Sequence, residues 1–152
     1  MPKLDFQYCP KLAVFDRDRA RILLCRRKGE QDYDGTYSLI GGKMEHSDPS
    51  ILAAVKREKD EEVGHAFKVR IYDKISVDVN FGKKDGSRMI LPHYYCEYLE
   101  GNVVLSDEYS DYRWVPLDEL FALEPMIDNI RWIAPLLKKV STIAQQEDFE
   151  VI

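Results

Sequence analysis

Glu58, Glu61 and Glu62 fall within one short stretch, Arg57-Glu58-Lys59-Asp60-Glu61-Glu62. Read as a helix of about 3.6 residues per turn, they stand at i, i+3 and i+4, so three carboxylates share one face. Left alone they repel, at roughly 0.2–0.5 kcal/mol per pair on an isolated helix. A bound divalent cation reverses that penalty, so the arrangement points to a metal centre. The competing reading is a charge run on the solvated face of an amphipathic helix. The neighbourhood separates the two. A glycine turn, Gly41-Gly42, comes before the run, a helix start lies between, and Gly64 closes it, so turn, helix and carboxylates form one unit.

That unit resembles the Nudix box of the Nudix hydrolases, G-x5-E-x7-R-E-U-x-E-E-x-G-U with U aliphatic. Gly42 stands at the first glycine, Arg57 and Glu58 at the R-E pair, Glu61 and Glu62 at the E-E pair, and Gly64 at the last glycine. Three positions depart. Asp48 replaces the first glutamate and is separated from Arg57 by eight residues instead of seven, and Lys59 and His65 occupy the aliphatic positions. The resemblance implies that Glu58, Glu61 and Glu62, with the Gly41 carbonyl, hold the metal, while Arg57 orients a glutamate through a charge-assisted hydrogen bond. The general base varies in the family and stays open here between Glu58, Glu62 and Glu108. The implied cofactor is Mg2+, with Mn2+ as a substitute, because hard cations prefer anionic oxygen ligands. The implied reaction is hydrolysis of a diphosphate bond in a nucleoside diphosphate linked to another group, foremost a nucleoside triphosphate. A nucleotide-sugar or ADP-ribose pyrophosphatase is the alternative, and a Nudix-like nucleotide-binding regulator without catalysis is the alternative of a different class.

The elements that must position these residues follow from the chain on either side. Lys11–Phe15 and Ala20–Arg27 are strand-like runs joined by a polar turn, which predicts a hairpin. The second run ends in Arg26-Arg27-Lys28, and Arg27 is the candidate for a substrate diphosphate. The polar stretch Gln31–Gly35 leads into Thr36–Ile40, which delivers the chain to the glycines. This entry is similar to the W-x-L-P-G-G of many Nudix boxes, with Tyr37 where tryptophan often stands. Gly42 lets the backbone approach a ligand closely. Tyr33, Tyr37 and Phe81 are candidates to stack on a base.

The helix is expected to start at Ser47 or Asp48, with Pro49 in its first turn, and to end at Gly64. Leu52, Val55 and Val63 form its apolar stripe, which Lys59 interrupts by burying its stem and sending its charge to water. The glutamates are expected mainly on the opposite side. Two further strands, Phe67–Tyr72 and Ile75–Phe81, precede a flexible turn and a long strand from Met89 to Leu99, on which His93 reads as structural. Residues 105–120 are similar to the family's acidic loop, tryptophan strand and short helix. Glu108 is the catalytic candidate there, ahead of Asp107 and Asp111. Ile127, Ile130, Ile133, Ala134, Leu137 and Val140 recur at helical spacing, and residues 145–152 read as a frayed tail.

Composition bounds the rest. The 152 residues suit one domain, 1–152, resembling the family's α/β/α sandwich with a mixed, largely antiparallel sheet. A net charge of −5 argues against long nucleic acid as a partner, though not against a small polyphosphate. No apolar run approaches the roughly 18 residues of a membrane span, and Met1–Phe6 lacks a signal peptide's apolar stretch, so a cytoplasmic location is expected. Cys9, Cys25 and Cys96 are widely spaced and read as reduced packing residues. The expected partner is a small nucleoside diphosphate derivative, with homodimerisation left open.

Overall fold

The computed structural model describes residues 5–29 and 33–152. The amino-terminal Met1–Leu4, and Gln31 and Asp32 of the expected polar turn, lie outside the described residues. The strands are β1 (Phe6–Tyr8), β2 (Lys11–Phe15), β3 (Arg21–Arg27), β4 (Tyr37–Ser38), β5 (Ile40–Gly41), β6 (Lys68–Gly82), β7 (Arg88–Glu100), β8 (Tyr109–Pro116) and β9 (Phe149–Val151), with helices α1 (Ile51–Val63) and α2 (Ile130–Val140). All nine described strands join one mixed sheet in which β8 lies outside β3 and β9 outside β6. The β2–β3 and β6–β7 pairs are antiparallel, whereas β2 and β1 run parallel to β7.

Strand periodicity divides the core in two. Leu12, Val14, Leu23 and Cys25 face α1 and pack with its Val55 and Val63. Ala13, Phe15, Ile22 and Leu24 point the other way and pack with Ile130, Ile133, Ala134 and Leu137 of α2. Side chains two residues apart share a face, so one hydrophobic strand serves both layers. The outcome is the expected sandwich, with a helix on each face of a mixed sheet.

Four local expectations need correction. The two strands expected over 67–81 are one strand, β6, with an irregularity between Tyr72 and Val77: five steps along β6 oppose two along β7. This bulge absorbs the break in alternation that suggested two elements. The tail expected to fray ends in β9, which pairs with Arg70–Tyr72 of β6, and Ile152 is buried and exchanges two backbone hydrogen bonds with Val69. Without it the outer edge of β6 would present unpaired backbone groups. The α1 cap is Ser50, whose Oγ accepts from the Ala53 amide at 3.1 Å, not Ser47 or Asp48. Finally, Lys59 does not reach water. It is 0% exposed, donates to the Phe67 carbonyl at 2.7 Å and meets Asp60 at 2.5 Å. The ammonium therefore ties the helix to the start of β6, and burial pushes its pKa down.

Only Lys59 of this pair is fully buried, so removing Asp60 leaves a buried charge uncompensated, whereas removing Lys59 leaves Asp60 partly exposed and still paired with Lys56 at 2.7 Å. Asp60→Ala is expected to lower unfolding free energy by about 3 kcal/mol, and Lys59→Met by less than half of that. Urea denaturation of the two variants against the parent checks the order.

Candidate active site

Arg57 organises the turn that precedes α1. Its Nε and one Nη donate to the two oxygens of Asp48 at 2.9 Å each, a bidentate fork. The same guanidinium donates to the Lys43 carbonyl at 3.2 Å, to Glu58 at 2.9 Å and to Glu61 at 3.3 Å. Asp48 in turn accepts from the Glu45 amide at 2.8 Å. Hydrogen bonding to Arg57 holds the Asp48 carboxyl down to about 2, and Asp48 holds the Arg57 pKa up. The extra residue before Arg57 is absorbed because Asp48 lies in the turn, ahead of the Ser50 cap, where the chain can adjust its reach.

Gly41 and Gly42 perform different tasks. A Cβ on Gly41, whose φ is +133°, would stand 2.2 Å from the Pro10 carbonyl oxygen, so only glycine lets β5 approach β2 here. A Cβ on Gly42 would stand 2.4–2.6 Å from the carboxylate atoms of Glu58. Glu58 thus lies in the space that a side chain at 42 would fill.

The three helix carboxylates sit in three different environments. Glu61 is 58% exposed at its side chain and leans on Arg57. Glu58 is 15% exposed at its side chain; burial raises its pKa against the opposing Arg57 hydrogen bond, and Glu61 and Glu108 push it further up. Glu62 is 1% exposed, which corrects the expectation that the glutamates lie mainly away from the core. One of its oxygens accepts from the Gly41 amide at 2.9 Å and the other accepts a short hydrogen bond from the Tyr109 hydroxyl. Burial raises its pKa to about 7, opposed by Tyr109, Lys11 and the Gly41 amide, while Glu58 adds to the rise.

The remaining candidates divide. Glu108 is exposed on the loop before β8, near enough to act on Glu58, and its carbonyl accepts from the Lys28 amide at 2.9 Å. Arg27 is half-buried opposite Tyr109, beyond the bulge that separates it from Arg26. Tyr37 is not a free stacking surface. It is 3% exposed, donates to Asp111 at 3.0 Å, and lies under the guanidinium groups of Arg26 and Arg113. Tyr33 and Phe81 are exposed. The Gly41 carbonyl accepts from Lys11 Nζ at 3.1 Å, which leaves its second lone pair for another partner. Sequence reasoning missed Tyr109 and Lys11. Tyr109 had a signal, since it directly follows Glu108, whereas Lys11 on a strand-like run had none.

Among the described residues, no three His, Cys, Asp or Glu side chains converge closely enough to hold an ion as they stand. The donor chemistry nevertheless fits a hard divalent cation. Glu58, Glu61, Glu62 and Glu108 offer only oxygen; Glu61 and Glu108 push the Glu58 pKa up and Glu58 pushes that of Glu62 up, a repulsion that positive charge would relieve.

Because the Glu62 pKa lies near 7 in the fold against 4.5 unfolded, the folded state binds more protons across that window. In metal-free buffer this group's contribution should fall as pH rises from about 4.5 to 7, by about 3 kcal/mol in all. Denaturation midpoints at pH 5 and pH 8 should differ less in Glu62→Gln than in the parent chain.

Similarity to known proteins agrees with this geometry. The family model described as the NUDIX domain matches residues 11–137. A search of curated proteins found no match. Among solved structures, a MutT protein from Methanosarcina mazei Go1 is similar at 22% identity, with TM-score 0.70, covering 93% of this chain and 99% of that one. A MutT NUDIX hydrolase from Burkholderia pseudomallei is similar at 26% identity and TM-score 0.64, covering 86% and 97%. The NUDIX domain of Shewanella oneidensis NrtR, solved with ADP ribose, is similar at 17% identity and TM-score 0.65, covering 95% and 91%. With the family model spanning most of its length and the box residues gathered around Arg57, the chain belongs to the Nudix hydrolases, as a Nudix pyrophosphohydrolase.

Proposed function

We propose that the chain hydrolyses the diphosphate bond of a nucleoside diphosphate linked to a further group, with a nucleoside triphosphate as the substrate and a monophosphate and pyrophosphate as the products. The observation that carries this reading is the carboxylate cluster. Arg57, anchored on Asp48, presents Glu58 and Glu61, while Gly41 and Tyr109 fix Glu62. An intact cluster of this kind favours catalysis over the regulator without turnover. The ADP ribose bound by the Shewanella NUDIX domain keeps nucleotide-sugar and ADP-ribose substrates as the contrast to test.

In this reading Glu58, Glu61, Glu62 and the Gly41 carbonyl would hold Mg2+ or Mn2+. Bound there, the ion would neutralise phosphate oxygens and lower the pKa of the attacking water. Glu62, with both oxygens held by donors, would serve as a fixed ligand. Glu58 or Glu108, which have more access to solvent, would be the groups to take the water's proton. Arg57 keeps the Glu58 carboxylate in one orientation, and Lys11 and Arg27 supply positive charge at the β2 and β3 ends of the site.

The test is turnover scored by product, with Mg2+ and then Mn2+, on triphosphates, nucleotide sugars and ADP-ribose. Pyrophosphate plus monophosphate identifies the proposed activity, and a sugar phosphate plus monophosphate identifies the alternative. No turnover on any diphosphate, with nucleotide still bound, would establish the regulator. Glu58→Gln is expected to lower kcat by about 100-fold or more while thermal stability is kept. Gly42→Ala is expected to fold but to lose about 100-fold in kcat, because the Glu58 carboxylate must move on the order of 1 Å. Parent-like kcat in Gly42→Ala would contradict the proposed role of Glu58.

A further inference from the structure

Lys11 carries a charge that the fold leaves without a carboxylate partner. It is the first residue of β2 and is followed by the fully buried Leu12 and Ala13, so its backbone is fixed. The antiparallel pairing of β2 with β5 sets it opposite Gly41, and its Nζ donates to the Gly41 carbonyl at 3.1 Å. Among the described residues it makes no ion pair. An ammonium has three donors, and a half-buried one needs negative charge nearby, so a single carbonyl leaves it under-compensated. His93, its register partner on β7, is buried, hydrogen-bonds the Val77 carbonyl through Nδ1 at 3.0 Å and carries no negative charge.

Compensation comes from the helix carboxylates. The Lys11 charge favours ionised Glu62 against burial, and the Cys9 thiol, pushed up by burial, is acted on by Lys11, Glu58 and Glu62 together. The ammonium thus stands among the carboxylates, and on the carbonyl, that are read above as metal ligands. A monocation and a dication on one carbonyl oxygen repel, the more so where water is partly shut out. Gly41 cannot move aside, since β5 lies against Pro10 and the Gly41 amide is held by Glu62 at 2.9 Å. The flexible Lys11 stem is the part that can yield.

We propose that Lys11 is the counter-cation of the site, holding the Gly41 carbonyl until a metal ion takes that oxygen and opposing the ion when it does. The proposal rests on the reading of Glu58, Glu61, Glu62 and the Gly41 carbonyl as the metal ligands. With no ion bound, the ammonium offsets part of the repulsion among Glu58, Glu61 and Glu62, which Arg57 alone restrains from the other side. With an ion bound, the same charge works against it, so the chain's affinity for a bare ion is lower than its carboxylates would give. Lys11 is therefore a positioning residue that acts through Gly41 and the glutamates.

Mn2+ binding to the full-length chain without nucleotide, followed by the paramagnetic resonance signal of free Mn2+, tests this. Lys11→Met loses charge and donor, whereas Lys11→Gln keeps a donor for the Gly41 carbonyl without the charge. Each should bind Mn2+ at least about 5-fold more tightly than the parent, and Lys11→Arg, which keeps the charge, should stay within about 2-fold of it. Thermal unfolding separates counter-charge from packing. In metal-free buffer the neutral variants should melt about 3 °C below the parent, and saturating Mn2+ should close the gap, because the tighter binder gains more from the ion. A lysine that only packs would leave the same gap in both buffers. Equal or weaker Mn2+ binding by both neutral variants, equal tightening in Lys11→Arg, or a gap that Mn2+ leaves unchanged overturns the proposal, while binding by the parent keeps the metal centre standing. Absence of Mn2+ binding from the parent and every variant overturns the metal centre, and the proposal with it.

Discussion

The structure depends on one buried carboxylate. Glu62 is withdrawn from water, and a carboxylate in that position is tolerated only if its oxygens are hydrogen-bonded. The two donors come from different parts of the chain, the Gly41 amide at the end of β5 and the Tyr109 hydroxyl at the start of β8. Satisfying one side chain therefore locks the helix, the glycine turn and the far strand in register. The same arrangement keeps the group near neutrality in pKa, because burial outweighs the hydrogen bonds that favour its charge.

Around that fixed point, Arg57 performs the complementary task. Its fork on Asp48 gives the turn a defined shape, and what remains of its donor set restrains Glu58 and Glu61. Asp48, Glu58 and Glu61 can then stand around one guanidinium that offsets their repulsion. Asp48 is shorter than a glutamate, yet it reaches Arg57 from a turn just ahead of the helix cap. Gly42 completes the arrangement by leaving room for Glu58, so its contribution lies in an absent side chain.

The sheet serves as a rigid spacer. Its α1 face carries the carboxylates, and the segment after β7 is tied to the end of α1 by the Val104 and Ser106 amides, which donate to the Val63 and Glu62 carbonyls. Its α2 face is closed by the buried Ile130, Ile133, Ala134, Leu137 and Val140 of that helix, and β9 covers an edge that would otherwise invite pairing with another chain.

Much of this was legible in the linear chain. The glycine turn, the glutamates at helical spacing, the hairpin and the α2 periodicity are local patterns, and local patterns survive without knowledge of neighbours. Lys59 and the tail were misread because charge argues for solvent, and polarity for fraying, unless a partner is known. Those partners, the Phe67 carbonyl and the backbone of β6, come from elsewhere in the chain. Tyr37 was misread for the converse reason, since an aromatic near a glycine turn looks available until Arg26, Arg113 and Asp111 are seen to cover it. The sequence by itself thus determined where the glycine turn and the glutamates at helical spacing lie, and on which element each sits. Only the tertiary structure decided which glutamate is buried, which is exposed and what holds each. Burial and hydrogen bonding depend on contacts between Gly41, Glu62 and Tyr109, which are far apart along the chain and meet only when the sheet is assembled.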